Sequence, residues 1–341
     1  MISRRDSLAL LGAAGIAACT PYRGPADPIA PPASAPPALR LDPLVDIVSG
    51  VGLQWLVQAK PREFLADDEL AMALQSIVSP ARVEAFAQRY GGVDVSQARE
   101  VVLAGYSGAS LALARVSIDP ARIEAAFSER AIAIEGRAVE ADVVRLWGSV
   151  DGAREQIAIF GRQGVALESG RLGPLRAAVY FAQGKLHRSQ PALHTEPLAT
   201  VAQRIGEAPL RGFAPGPFEG AWAAGLGGLL RAATAAAGAA RLSRPAVHAA
   251  PLLRARFVLA GNWGADAAAA GERFAAAFRV LAEDPVGRLL GVDRPLEPPH
   301  VSVDPTALAL DVALEPFAFV HGLRAATGAS LPEILGLSAA H

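Results

Sequence analysis

A short motif that occurs twice constrains this chain more than any other feature. Residues 102–109 read VLAGYSGA and residues 258–265 read VLAGNWGA, identical at six of eight positions and 156 residues apart. Residues 165–168 (VALE) recur at 312–315, and residues 175–178 (LRAA) recur at 323–326. The three matches keep their order. Each also falls on the same kind of expected element in both copies: a strand entering a turn, a late strand, and the helix after it. A chain rich in Ala, Leu and Arg produces four-letter coincidences by chance, so order and context carry the argument for a duplicated module. Length agrees, since 341 residues suit roughly two domains of ~150.

The local pattern supplies the elements. Ser79-Pro80 and Asp119-Pro120 each pair a capping side chain with proline at the first helical position, and both predict helix starts. A short helix is expected over 67–78 and another from Pro174, where Leu175, Ala178, Val179, Ala182 and Leu186 share one face. Strands are expected at 101–106, 111–118, 139–147, 156–160, 165–168 and 253–260, with a hairpin turn at 161–164. Leu308, Leu310, Val312 and Leu314 alternate with small or polar residues, which predicts a half-buried strand. Helices are expected from Asp266 and from Pro316. The segment 45–56 is apolar without a clear period. Between Pro209 and Pro217 the chain reads as a proline-broken link, and 213–218 (FAPGPF) as a rigid aromatic-bearing loop. Residues 218–240 read as an amphipathic helix, with Trp222, Leu226, Leu229 and Leu230 as its stripe. The central Arg231 argues against a membrane span there. The expected fold class is α+β: antiparallel sheets with helices packed on one face, in two related modules at 44–208 and 209–341.

The N-terminus reads as an address. Arg4 and Arg5 precede an apolar run over 8–18, too short for a bilayer and suited to a signal peptide. Ile16, Ala17 and Ala18 then stand before Cys19, the only cysteine in the chain. This arrangement resembles the lipobox of bacterial lipoproteins. The resemblance implies cleavage after residue 18, lipid on Cys19, and a membrane partner through that lipid. Residues 3–8 (SRRDSL) resemble the twin-arginine export motif, and an ordinary Sec signal fits them as well. Thr20 stands where a retaining aspartate would keep an enteric lipoprotein in the inner membrane, which points to the outer membrane, facing the periplasm. Residues 19–43 form the next stretch, with eight prolines over 21–43. In polyproline II, at ~3.1 Å per residue, they make a tether of up to about 70 Å.

Composition and spacing remove several function classes. One cysteine builds neither a disulfide scaffold nor a Cys-based zinc site. The 32 basic side chains against 33 acidic ones give no electrostatic footprint for nucleic acid. The six histidines (187, 194, 248, 300, 321 and 341) show no metal-binding spacing, and no cofactor fingerprint follows a strand. Residues 105–109 (GYSGA) resemble the nucleophile elbow of α/β-hydrolases. That resemblance implies Ser107 as nucleophile, His300 or His321 as base, and Asp304 or Asp293 to orient it, in ester or amide hydrolysis. Against it, the repeat copy puts Trp263 where Ser107 stands, the fifth position is Ala109, and the residues after Ser107 read as a strand. The leading expectation is therefore an envelope lipoprotein with a binding or scaffold role and no catalysis, its partner an unidentified protein or small molecule. A serine hydrolase is the second. A periplasmic ligand carrier is the third; an apolar cavity of roughly 300–1,000 Å³ between the lobes would mark it.

Overall fold

Prolines open most of the helices. The computed structural model describes residues 38–170, 173–186, 190–244 and 250–327, and the signal and lipidation residues Arg4, Arg5, Ile16, Ala17, Ala18 and Cys19 lie outside them. The chain runs β1 (Leu53–Ala59), α1 (Pro61–Leu65), α2 (Asp68–Ile77), α3 (Pro80–Arg89), β2 (Glu100–Tyr106), β3 (Ala109–Arg115), α4 (Pro120–Arg130) and β4 (Ala131–Glu140). It continues with β5 (Val143–Val150), β6 (Ala153–Phe160), β7 (Gly164–Gly170), α5 (Pro174–Ala182), α6 (Leu198–Ile205) and β8 (Leu210–Pro215). The last third holds β9 (Ala233–Ser243), β10 (Leu252–Gly261), α7 (Ala267–Glu283), α8 (Pro285–Leu289), β11 (Glu297–Asp304), β12 (Ala307–Leu314) and α9 (Pro316–Thr327). Proline is the first residue of α1, α3, α4, α5, α8 and α9, where its missing N–H costs no helical bond. Ser79 accepts from the Arg82 N–H and Asp119 from the Ala121 N–H, so both expected caps form.

The twelve strands of the described residues join one antiparallel sheet in the order β11-β12-β10-β9-β8-β1-β2-β3-β7-β6-β5-β4. The chain lays down β1 to β7 on one side of the centre and β8 to β12 on the other. The two sides meet where β1 pairs with β8, Leu56 opposite Phe213 and Val57 opposite Gly212. On each side the third strand leads into a helix (α4 or α7), later strands return beside it, and a helix closes the run (α5 or α9).

The α+β class stands, and one continuous sheet takes the place of separate ones. Helices cover both of its faces, which corrects the expectation of one. On the first face α5 and α6 pack Leu175, Val179, Leu198 and Val201 against Leu56, Val102, Phe213 and Val258. On the second face α3 and α4 place Phe86, Ile123 and Phe127 on Val101, Ile157 and Leu167. Farther along that face α7 places Phe274 and Phe278 on Leu259, Leu308 and Leu310. The reason is visible in β12. Its leucines turn to the second face and Ala307 and Ala309 to the first, so both faces are apolar and both need cover. That strand is buried on two sides instead of one.

Three local expectations change. Residues 139–147 straddle a hairpin, since Ala141 (φ 50°) and Asp142 turn β4 into β5. The expected link at 209–217 contains β8, an interior strand paired with β9 and β1. The expected helix over 218–240 is two 3₁₀ turns, Gly220–Ala224 and Leu226–Arg231, followed by β9. Gly227 (φ 65°) and Gly228 (φ 82°) break the helical path. The alanines after them exchange a helix for two full strand ladders, with β8 and β10, so packing context overrides their propensity.

Candidate functional site

The centre of the second face is hollow. Strands β8 and β9 present Gly212, Ala214, Ala236, Gly238 and Ala240 there, a floor with almost no side chains. Register aligns it: Gly212 lies opposite Gly238 and Ala214 opposite Ala236. Larger residues stand on either side, Trp55 and Val57 on β1, and Leu253, Phe257 and Leu259 on β10. The roof comes from Phe274, Phe278 and Leu281 of α7, Leu226 and Leu230 of the second 3₁₀ turn, and Phe319 of α9. Together they bound a partly open cavity of about 940 Å³. That lies near the top of the ~300–1,000 Å³ range of small-molecule sites.

The chemistry of the lining is uniform. Every side chain facing this space is aliphatic, aromatic or absent. Arg211 borders it through its backbone, and its guanidinium works on the opposite face, where Nε donates to Gln58 Oε1 (2.7 Å) and Nη1 to Glu207 Oε1 (2.7 Å). The cavity is open to water on both sides of its floor: Trp55 and Leu210 on β1 and β8 are 39% and 36% exposed, and Phe257 on β10 and Leu281 on α7 are 44% and 47% exposed. Large apolar side chains left open to water inside a concavity mark a binding surface. The indole of Trp55 reaches over Gly105 of β2, where a Cβ would sit 2.2 Å from Trp55 Nε1.

The candidate hydrolase residues are not brought together. Ser107 is exposed in the two-residue turn of the β2–β3 hairpin, Tyr106 opposite Ala109, with Gly108 at φ 78°. A strand follows it, where a nucleophile elbow has a helix. His300 sits on edge strand β11, opposite Asp311 and six strand positions from β2. At ~4.8 Å per strand that is far outside hydrogen-bond reach. His321 is exposed on α9. Asp304 closes the β11–β12 turn, accepting from the N–H of Thr306 (2.7 Å) and Ala307 (2.9 Å) and pairing with Arg204. Desolvation raises its pKa slightly, but these bonds and the Arg204 charge outweigh it and hold the carboxyl below its usual range. Asp293 pairs with its neighbour Arg294. Of the other histidines, 187, 248 and 341 lie outside the described residues, and His194 bonds Asp46. Among the described residues no three His, Cys, Asp or Glu side chains form a metal-holding group. No described helix is long and apolar enough to cross a membrane.

A second hollow of about 490 Å³ lies on the first face, bordered by Arg204, Arg241, Arg254, Arg256, Glu297 and Asp311. Its charges mostly answer one another: Arg254 clasps Glu297 through two bonds of 2.7 and 2.8 Å, and Arg256 reaches Asp311 at 3.5 Å.

No family model, no curated protein and no solved structure matches this chain. Function therefore has to be argued from the cavity itself. The sequence raised an apolar cavity between the lobes as one possibility but did not place its floor. Its signal was small residues at alternate positions, 212 and 214, then 236, 238 and 240. It becomes readable only once β8 and β9 are known to be neighbouring strands.

Proposed function

We propose that this chain is a lipid-anchored envelope protein that binds and carries a small apolar molecule, without transforming it. The observation that carries this reading is the 940 Å³ apolar cavity over β8 and β9. It meets the size and lining set out for a ligand carrier, with one change of place: the roof is built by the second half of the chain, over the strands where the halves join. Burial of apolar surface, at ~25 cal/mol per Å², would drive binding, and the ligand's buried part must be uncharged because nothing in the lining could pair a charge. The N-terminal signal, Cys19 and the proline-rich stretch support the anchoring part of the proposal. The separation of Ser107 from His300 gives no support to the hydrolase alternative.

Duplication belongs to the same proposal. Two of the three repeated motifs fall on elements with the same place in the two strand orders: VALE on β7 and at the end of β12, LRAA on α5 and α9. The third sets the end of β2 against the end of β10, whereas the strand order would align β3 with β10, so it supports the reading less.

Two measurements test the proposal. Replacing Cys19 with Ser should move the protein from the membrane fraction to the soluble one; continued membrane retention would contradict lipid anchoring. With that soluble full-length variant, an uncharged environment-sensitive dye such as N-phenylnaphthylamine should bind at one site with a large gain in emission. Absence of any saturable signal would contradict the carrier reading.

A further inference from the structure

We infer that the ligand is an amphiphile whose straight hydrocarbon chain lies along β8 and β9 while its polar end stays in water at the flank of Trp55 and Leu210. This rests on the carrier reading above and narrows it. The first ground is shape. The floor is about three strands wide: β8 and β9 carry small residues and Ala255 extends it onto β10, while Val57 on β1 and Phe257 on β10 rise beside it. Its length is greater. Leu253, Ala255, Phe257 and Leu259 all line the cavity on β10, six residue steps from end to end, or about 20 Å at ~3.4 Å per residue. The lining continues past both ends, to Phe218 beyond β8 and to Phe319 on α9. A space longer than it is wide suits an extended chain better than a fused-ring body.

The second ground is that, apart from the indole N–H of Trp55 over Gly105 at the β1 side, no lining side chain along that length has a donor or acceptor turned into the space. A polar substituent placed midway would lose its water and gain no partner, whereas methylene groups lose nothing. The third is an open flank. Trp55 and Leu210, on the β1–β8 side of the cavity, are partly exposed, so a head group there remains hydrated while its chain lies along the floor. Free fatty acids and single-chain phospholipids share this chemistry.

The test uses the full chain carrying Cys19→Ser and displacement of bound N-phenylnaphthylamine. Competitors are fatty acids of eight, twelve and sixteen carbons, a sixteen-carbon lysophospholipid, and a sixteen-carbon fused-ring hydrocarbon, all as monomers. Each methylene entering the cavity should tighten binding about fourfold, hence on the order of a hundredfold between eight and twelve carbons. The lysophospholipid should compete about as well as the fatty acid of equal length, which places the head group outside; competition by the fatty acid alone would overturn that placement. A flat chain-length series, or a ring compound that outcompetes the sixteen-carbon chain, would overturn the inference while dye binding leaves the carrier reading standing. A dye that never binds removes both.

Discussion

Glu168 shows how the first face is held at the level of single side chains. Its carboxyl lies wholly buried on β7, with Oε1 accepting from the N–H groups of Gly173 (2.9 Å) and Leu175 (3.3 Å) at the start of α5. Oε2 has no partner. Burial raises the pKa to about 7, against the pull of those two N–H groups. The folded carboxyl therefore keeps a proton that the unfolded chain releases near its ordinary value of 4.5. Its contribution to stability is full below that value and is lost as pH rises through about 7. Urea midpoints at pH 5 and pH 8 should show Glu168→Gln gaining on the native chain by a few kcal/mol, at ~1.4 per unit. An unchanged difference would contradict this. A buried polar row does related work at the junction of the halves. Gln58 Nε2 donates to Glu100 Oε1 (2.5 Å) and Gln58 Oε1 accepts from Arg211, while Glu100 Oε2 accepts from the Leu44 N–H (2.8 Å). Gln58→Leu would remove one buried bond from each neighbour, leaving Glu100 its bond from Leu44 and Arg211 its bond to Glu207, and should cost about 1–3 kcal/mol by chemical denaturation. A loss under 0.5 kcal/mol would show that the row is dispensable.

At the scale of elements, the parts set by neighbours in sequence were legible and the parts set by neighbours in space were not. The caps Ser79 and Asp119 sit beside the helices they start, and each should cost about 1 kcal/mol when changed to Ala, read as a shift in the denaturation midpoint. Equal stability would show the caps are not needed. The 161–164 turn and the β12 alternation are local in the same sense. β9 is the opposite case. Its sequence, ATAAAGAARLS, favours a helix and becomes a strand only because β8 and β10 complete its ladders. β8 was hidden by its prolines, which fall at its end and beyond, at Pro215 and Pro217. The cavity floor was out of reach for a further reason. Gly212 and Gly238 meet across strands from positions 26 residues apart, and nothing local announces that register.

Across the whole molecule the two sides of the sheet share a layout but treat the second face differently. Under α3 and α4 the face is filled by Val101, Ile157, Leu167 and the aromatic rings above them. Beside α7 it stays hollow, with glycine and alanine where the other side has branched residues. A strand interior gains nothing from glycine; an alanine or valine there is worth up to ~1 kcal/mol. Gly212 has no conformational need to be glycine, and the nearest atoms to an added Cβ are 3.9 Å away or more. Its value is the space it leaves. If the chain carries an apolar ligand in this cavity, filling that space must trade binding for stability. The direct test is calorimetric titration of a sixteen-carbon fatty acid into the Cys19→Ser chain with and without Gly212→Val, both shown by melting to be folded. The account predicts that Gly212→Val melts at the same temperature or higher and loses at least tenfold in affinity. Equal affinity in the two proteins, with melting unchanged, would contradict it.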